Sequence, residues 1–128
     1  MEFTIHLNPI TKKNSSQIIQ CRGRSMIIPS KQYKEYEKNC KIFMPNCEMI
    51  DYPVNIKCVY FMPTKRKVDI TNLLSATDDI LTKYGIISDD NRNIVAGHDG
   101  SRVYYNKNSP RTEITIDKID DYEQWGAK

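Results

Sequence analysis

The stretch "PVNIKCVYFMP", residues 53–63, fences nine residues between two prolines and puts Val54, Ile56, Cys58, Tyr60 and Met62 at every second position. Successive strand residues point to opposite faces, so this segment buries one face and leaves the other to polar partners. Proline cannot donate to a sheet ladder, and positions 53 and 63 therefore mark the ends of a strand. Such a strand needs neighbours, and the chain supplies them. "EFTIHL" alternates Phe3, Ile5 and Leu7, and Pro9 ends it. "RNIVAG" and "SRVYYN" read as short strands around the turn His98-Asp99-Gly100, and "TEITI" as a last alternating strand.

Two segments have helical spacing instead. Ser30 is the expected N-cap of a helix that carries Tyr33, Tyr36, Cys40 and Phe43 on one side and lysines on the other. The second is expected over residues 72–84, capped by Thr71 and stopped by Gly85. Its stripe of Leu73, Leu74, Ile80, Leu81 and Tyr84 faces the core, while Asn72, Ser75 and Asp79 stack along the opposite edge. Between the first strand and first helix, Ile18-Ile19 and Met26-Ile27-Ile28 flank "CRGRS", which reads as a basic hairpin flap with Gly23 near its tip. The order predicts an α+β fold, a small mixed sheet with two helices packed on one face. Residues 1–128 are expected to form one domain with a frayed acidic tail over 117–128.

With 39% hydrophobic and 27% charged residues the composition is globular rather than disordered. Cysteines 21, 40, 47 and 58 have no metal-binding spacing, and His6 and His98 do not complete one, so reduced thiols are expected. The acidic, alternating N-terminus is unlike a signal peptide, and no apolar run nears the roughly 18 residues of a membrane span. The expectation is a cytoplasmic, soluble protein.

A net charge of +3 does not announce a polyanion partner, but the distribution of charge is uneven. Lys65, Arg66 and Lys67 run together directly ahead of "VDITNLLSATDDILTKYGIISDD", which carries Asp69, Asp78, Asp79, Asp89 and Asp90. Two readings stand. Acids at a helix start, on its polar face and in a turn are ordinary structural placements, with Asp78 a face residue and Asp89 a turn residue. Alternatively, carboxylates from Asp69 and Asp90 bind a hard divalent cation such as Mg²⁺, which keeps most of its waters. An EF-hand beginning at "DDNRN" fails, lacking the glycine and glutamate that loop requires.

This stretch resembles the RusA family of Holliday-junction resolvases, whose central motif is Asp-x-Asp-Asn, a helix with an exposed lysine, then Gly and an Asp-Asp pair. "NPITKKNSS", "IIPSKQYKEYEK" and "GSRVYYNKNSPRTEITI" are similar to the family's N-terminal, helix-start and closing segments. The resemblance implies a Mg²⁺- or Mn²⁺-dependent nuclease acting as a homodimer on branched DNA, a four-way junction, in recombination and repair, in a prophage context. It makes Asp69 and Asp90 metal ligands and catalytic residues, with Asp89 beside them. Two positions depart from the motif: Thr71 stands for an aspartate and Ser75 for the lysine. Asp79, one turn beyond Ser75, is the candidate for the missing carboxylate. Weakened cleavage, or junction binding without it, is the alternative that these departures raise.

Lys12, Lys13, Arg22, Arg24, Lys65, Arg66, Lys67, Asn72 and Arg102 form the expected DNA-facing set. Arg111 is read either as a DNA contact or as a partner of the acids. His98 is read as a turn residue or a proton carrier, and the tyrosines at 33, 36, 60, 84, 104 and 105 as core or sheet-face residues.

Overall fold

The computed structural model describes residues 1–12, 16–21 and 24–120; for 16–21 and 24–29 the description covers the backbone. Strand β1 (Glu2–Ile5) is followed by a hairpin of β2 (Ser16–Cys21) and β3 (Arg24–Pro29). Helix α1 (Lys31–Asn39) runs into a 3₁₀ turn (Cys40–Phe43), then come β4 (Val54–Met62), α2 (Ile70–Lys83), β5 (Val95–Gly97), β6 (Arg102–Tyr105) and β7 (Arg111–Lys118). The fold is α+β, as the sequence predicts.

The proline-fenced segment is the centre of a mixed five-stranded sheet. Strand β7 pairs antiparallel with β4 along one side and with β1 beyond it. On the other side of β4, β5 and β6 both pair parallel, β5 near its start and β6 near its end. A parallel neighbour cannot be reached by a tight turn, and α2 is the crossover that carries the chain from β4 to β5. The hairpin forms a separate two-stranded sheet, with Ile18 opposite Ile27 and Ile19 opposite Met26. Gly23, the expected tip, lies outside the described residues.

Alternation sorts the central sheet into two faces. Val54, Ile56, Cys58 and Tyr60 are buried together with Ile5, Ile114 and Ile116, and both helices cover this face through Tyr33, Tyr36, Leu73, Ala76, Ile80 and Leu81. The phenol of Tyr60 shares a 2.7 Å hydrogen bond with Thr77 of α2, and the Tyr84 hydroxyl donates to the Glu37 carbonyl of α1. Ser30 caps α1 as expected, accepting from the Tyr33 amide. Burial pushes the thiols of Cys40 and Cys58 up to about 12, which keeps them protonated and inert. Among the described residues no helix is long and apolar enough to cross a membrane.

Two local expectations change. Helix α2 starts at Ile70 with Asp69, not Thr71, as its N-cap residue. Strand β7 continues through Lys118, and the Ile119 amide bonds to the Pro53 carbonyl, so Asp117 and Lys118 belong to the sheet rather than to a tail. Residues 121–128 lie outside the described residues. Tyr104 and Tyr105 are sheet-face residues of β6, about half exposed.

Candidate active site

The site is built around one helix and the turn that follows it. The Asp69 carbonyl accepts from the Asn72 and Leu73 amides and so starts α2. Its carboxylate makes no capping bond to the helix; it is exposed and accepts from the Asn72 side chain at 3.3 Å. An N-cap carboxylate that leaves the backbone to others is available to a ligand, and the helix N-terminus favours the negative charge there.

After Gly85, which takes a φ of 71° to end the helix, the chain is pinned by buried Ile86 and Ile87 and again by buried Ile94. Between these anchors the turn carries Asp89 and Asp90 into solvent. Both oxygens of Asp89 are engaged, one accepting from the Asp90 amide at 2.7 Å and the other from the Asn91 side chain at 3.2 Å. Asp89 thus braces the turn and presents Asp90. Loss of surrounding water, a hydrogen bond with Asp89 and the charges of Asp79 and Asp89 raise the Asp90 carboxyl above its ordinary value. Crowded carboxylates of this kind favour a cation among them.

Asp79 does not stand where a shared ion with Asp69 needs it. Ten helical residues at 1.5 Å each put about 15 Å of axis between the two. Ligand distances of about 2 Å do not bridge such a span, which counts against one ion shared by Asp69 and Asp79. Asp79 instead accepts an ion pair from Lys12 at 3.2 Å, while Lys12 also lies 5.6 Å from the ring centre of Tyr33. Among the described residues no three His, Cys, Asp or Glu side chains surround a common point. Thr71 and Ser75 are both exposed on the helix. Mg²⁺ takes as few as one or two protein carboxylates and fills the rest of its shell with water; Asp69 and Asp90 are both exposed oxygen donors.

The basic loop leads into this helix. Lys65, Arg66 and Lys67 are exposed, and Lys65 lies over the Tyr105 ring at 5.2 Å. An open groove runs between the N-terminal segment and this loop, lined by Pro9, Thr11, Gln32, Thr64, Arg66 and Lys67 among others. Thr11 of its lining is followed in the chain by Lys12. Lys13 and Arg22 lie outside the described residues, and of Arg24 the backbone alone, within β3, is described.

Arg102 is not brought to the acids. It pairs in register with Val59, on the face of the sheet turned away from the helices, and its guanidinium donates to the Ser101 carbonyl. Strand alternation fixes that side. Arg111 is likewise elsewhere, bonded to Glu113 at 2.9 Å and stacked on Phe61 at 3.8 Å.

The feature that sequence reasoning missed is Asp78. Read as a polar-face residue, it is 7% exposed and faces His98, whose Nε2 lies 2.9 and 3.1 Å from its two oxygens. The Ser101 hydroxyl accepts the Cys58 amide, and Asn55 bonds twice to the backbone of Asp99, so the whole turn between β5 and β6 is tied down. The signal was present: Asp78 is four residues after Leu74 and three before Leu81, on the apolar stripe.

Fold and site together define a small mixed-sheet protein with a carboxylate edge beside a cationic groove. The family described as Endodeoxyribonuclease RusA matches residues 7–117, and the chain belongs to that family. Over 44 residues the chain is 36% identical to a protein of Aquifex aeolicus (strain VF5) described as crossover junction endodeoxyribonuclease RusA. That match spans about a third of each protein, 34% of this chain and 35% of the relative.

Proposed function

We propose that this chain is a metal-dependent endonuclease that resolves four-way DNA junctions by hydrolysing phosphodiester bonds, working as a homodimer in recombination and repair. The observation that carries this reading is the exposed carboxylate edge of α2 and its following turn, within a chain matched to the family over residues 7–117.

In this reading Asp69 and Asp90 hold Mg²⁺ or Mn²⁺, which would supply Lewis acidity and lower the pKa of water. The protein's own residues do the rest. Asn72 orients the Asp69 carboxylate, and Asp89 holds the turn that presents Asp90. Arg66 and Lys67 line the groove and bind backbone phosphates, which sets the register of the DNA without reading its sequence. Two copies related by a two-fold axis would present two such sites to the two related strands of a junction.

Thr71 and Ser75 favour a second reading, junction binding with weak or lost cleavage, because neither supplies the charge its position has in the motif. A labelled four-way junction incubated with the purified protein and Mg²⁺ or Mn²⁺ separates the two. Paired nicks that vanish on adding chelator support the nuclease; a bound, uncut junction supports the second reading.

A further inference from the structure

We infer that Tyr105 is the residue that recognises the branch of the junction, stacking on a base laid bare there while the adjoining groove holds the phosphates of the same strand. The inference rests on the junction reading and assigns the source of its specificity. Cationic contacts to phosphates bind any duplex alike, so a preference for a branch needs a group that senses what a continuous duplex lacks. Inside a duplex each base has both faces covered by its neighbours. At a branch point the helical stacks end, and a base face becomes open to an aromatic side chain.

The fold sets one such ring beside the groove. Tyr105, the last residue of β6, lies in register with Met62, which lines the groove together with Arg66 and Lys67. Val103, two residues earlier on the same face, packs against the core, whereas Tyr105 is 48% exposed. The backbone that carries the ring is fixed. The Asn106 amide donates to the Met62 carbonyl at 2.9 Å, and the Asn106 side chain accepts from the Asn108 and Ser109 amides, both at 3.1 Å. A ring already held in place loses little freedom when it stacks.

Charge decides what the ring faces. The charged residues that line the groove, Arg66 and Lys67, are both positive, and the Lys65 ammonium lies over the Tyr105 ring at 5.2 Å. An exposed contact between a cation and a ring is weaker than the stacking of a base on that ring. A base therefore takes the place of the ammonium, which turns to the phosphate of the same nucleotide. Tyr104 supplies the contrast. It is exposed to nearly the same degree, 51%, but strand alternation puts it on the other side of the sheet. There it stacks on Phe61 at 5.6 Å, and Arg111 lies over Phe61 in turn. Its ring is partnered within the fold and turned away from the groove.

The test compares the parent with Tyr105→Leu, Tyr105→Trp and Tyr104→Leu, each checked by melting. Binding to a labelled four-way junction and to a linear duplex of the same arm sequence is measured with chelator present, so that cutting does not enter. Tyr105→Leu keeps an apolar side chain and loses the ring. Its junction affinity should fall about 5- to 100-fold, the worth of one stacked base, while its duplex affinity stays within about twofold of the parent. Tyr105→Trp and Tyr104→Leu should bind the junction as the parent does. A junction with abasic sites in place of its branch-point bases should bind the parent more weakly by a similar factor, with little further loss in Tyr105→Leu. Parental junction affinity in Tyr105→Leu, an equal loss on junction and duplex, a loss as large in Tyr105→Trp or Tyr104→Leu, or additive losses from Tyr105→Leu and the abasic junction would each overturn the assignment. In all of these the parent prefers the junction; a parent that binds junction and duplex alike removes the junction reading itself, and the role of Tyr105 with it.

Discussion

Asp78 and Asp79 are neighbours with the same side chain, and the fold treats them in opposite ways. Asp78 is turned toward the sheet, 7% exposed, with both oxygens against the His98 ring. Asp79, rotated by one residue, stands at the outer edge within reach of Lys12 and near enough to Asp90 to raise its carboxyl. A rotation of about 100° per residue is the whole cause. The inner side of α2 satisfies each polar group it buries, Thr77 with Tyr60 and Asp78 with His98, and therefore supports the fold. The outer side gathers like charge that opposes folding, and therefore needs another purpose. Natural proteins tend to break local rules at functional sites.

The largest expected effect is on the inner side. Ile80→Ala removes a side chain with no exposed surface and should destabilise the protein by about 2–5 kcal/mol in chemical denaturation. Ser75→Ala, on the outer edge, should leave the midpoint where it was; equal losses would erase the distinction between the two sides. The neighbouring acids give a finer contrast. Asp78→Ala leaves His98 without its partner and should cost about 1–3 kcal/mol. Asp79→Ala loses an exposed ion pair and should cost less than about 1 kcal/mol. If the two variants melt together, Asp78 is not a structural tie.

The outer side has its own measure in the basic loop. Replacing Lys65, Arg66 and Lys67 with Ala should reduce the log–log salt slope of duplex binding by about 0.9 for each phosphate that is no longer neutralised. Thermal stability should hold, since all three are exposed. An unchanged slope would make the loop a solubilising one.

The smallest effect is the stability penalty of the acids themselves. A carboxyl whose folded pKa lies above its unfolded value binds its proton more readily when folded, so its ionisation opposes folding at neutral pH. Asp90 is such a group. Asp90→Asn should raise Tm slightly at neutral pH, and the gain should fade as pH falls through the raised value to below the ordinary 3.8. A lower Tm at neutral pH would mean that the turn depends on the Asp90 charge.

Much of the fold was legible because its signals are local. The prolines at 53 and 63 bound β4 nearly to the residue, Ser30 caps α1, and the alternating segments all became strands. The parallel pairing of β5 and β6 with β4 was not legible, because it depends on where α2 returns the chain. At the site, the helix between Asp69 and Asp79 was legible from its apolar stripe to within two residues of its start, while the bracing of the turn by Asp89 was not, because it depends on the local backbone. The face that Arg102 joins was not legible, because a single residue of strand register decides it. Lys12 was visible as a cation, yet nothing local ties it to an aspartate 67 residues on.

The central claim is that Asp69 and Asp90, held out by the helix start and the following turn, form the place where the DNA backbone is cut. The most direct measurement is cleavage of a labelled four-way junction at saturating DNA by the parent, Asp69→Asn and Asp90→Asn, with folding checked by melting. Each substitution removes a carboxylate charge and keeps the shape. The account predicts junction binding close to the parent and nicks abolished in both variants, while Mg²⁺ or Mn²⁺ supports cutting by the parent. Cleavage at the parental rate by either variant would remove that residue from the site and contradict the account.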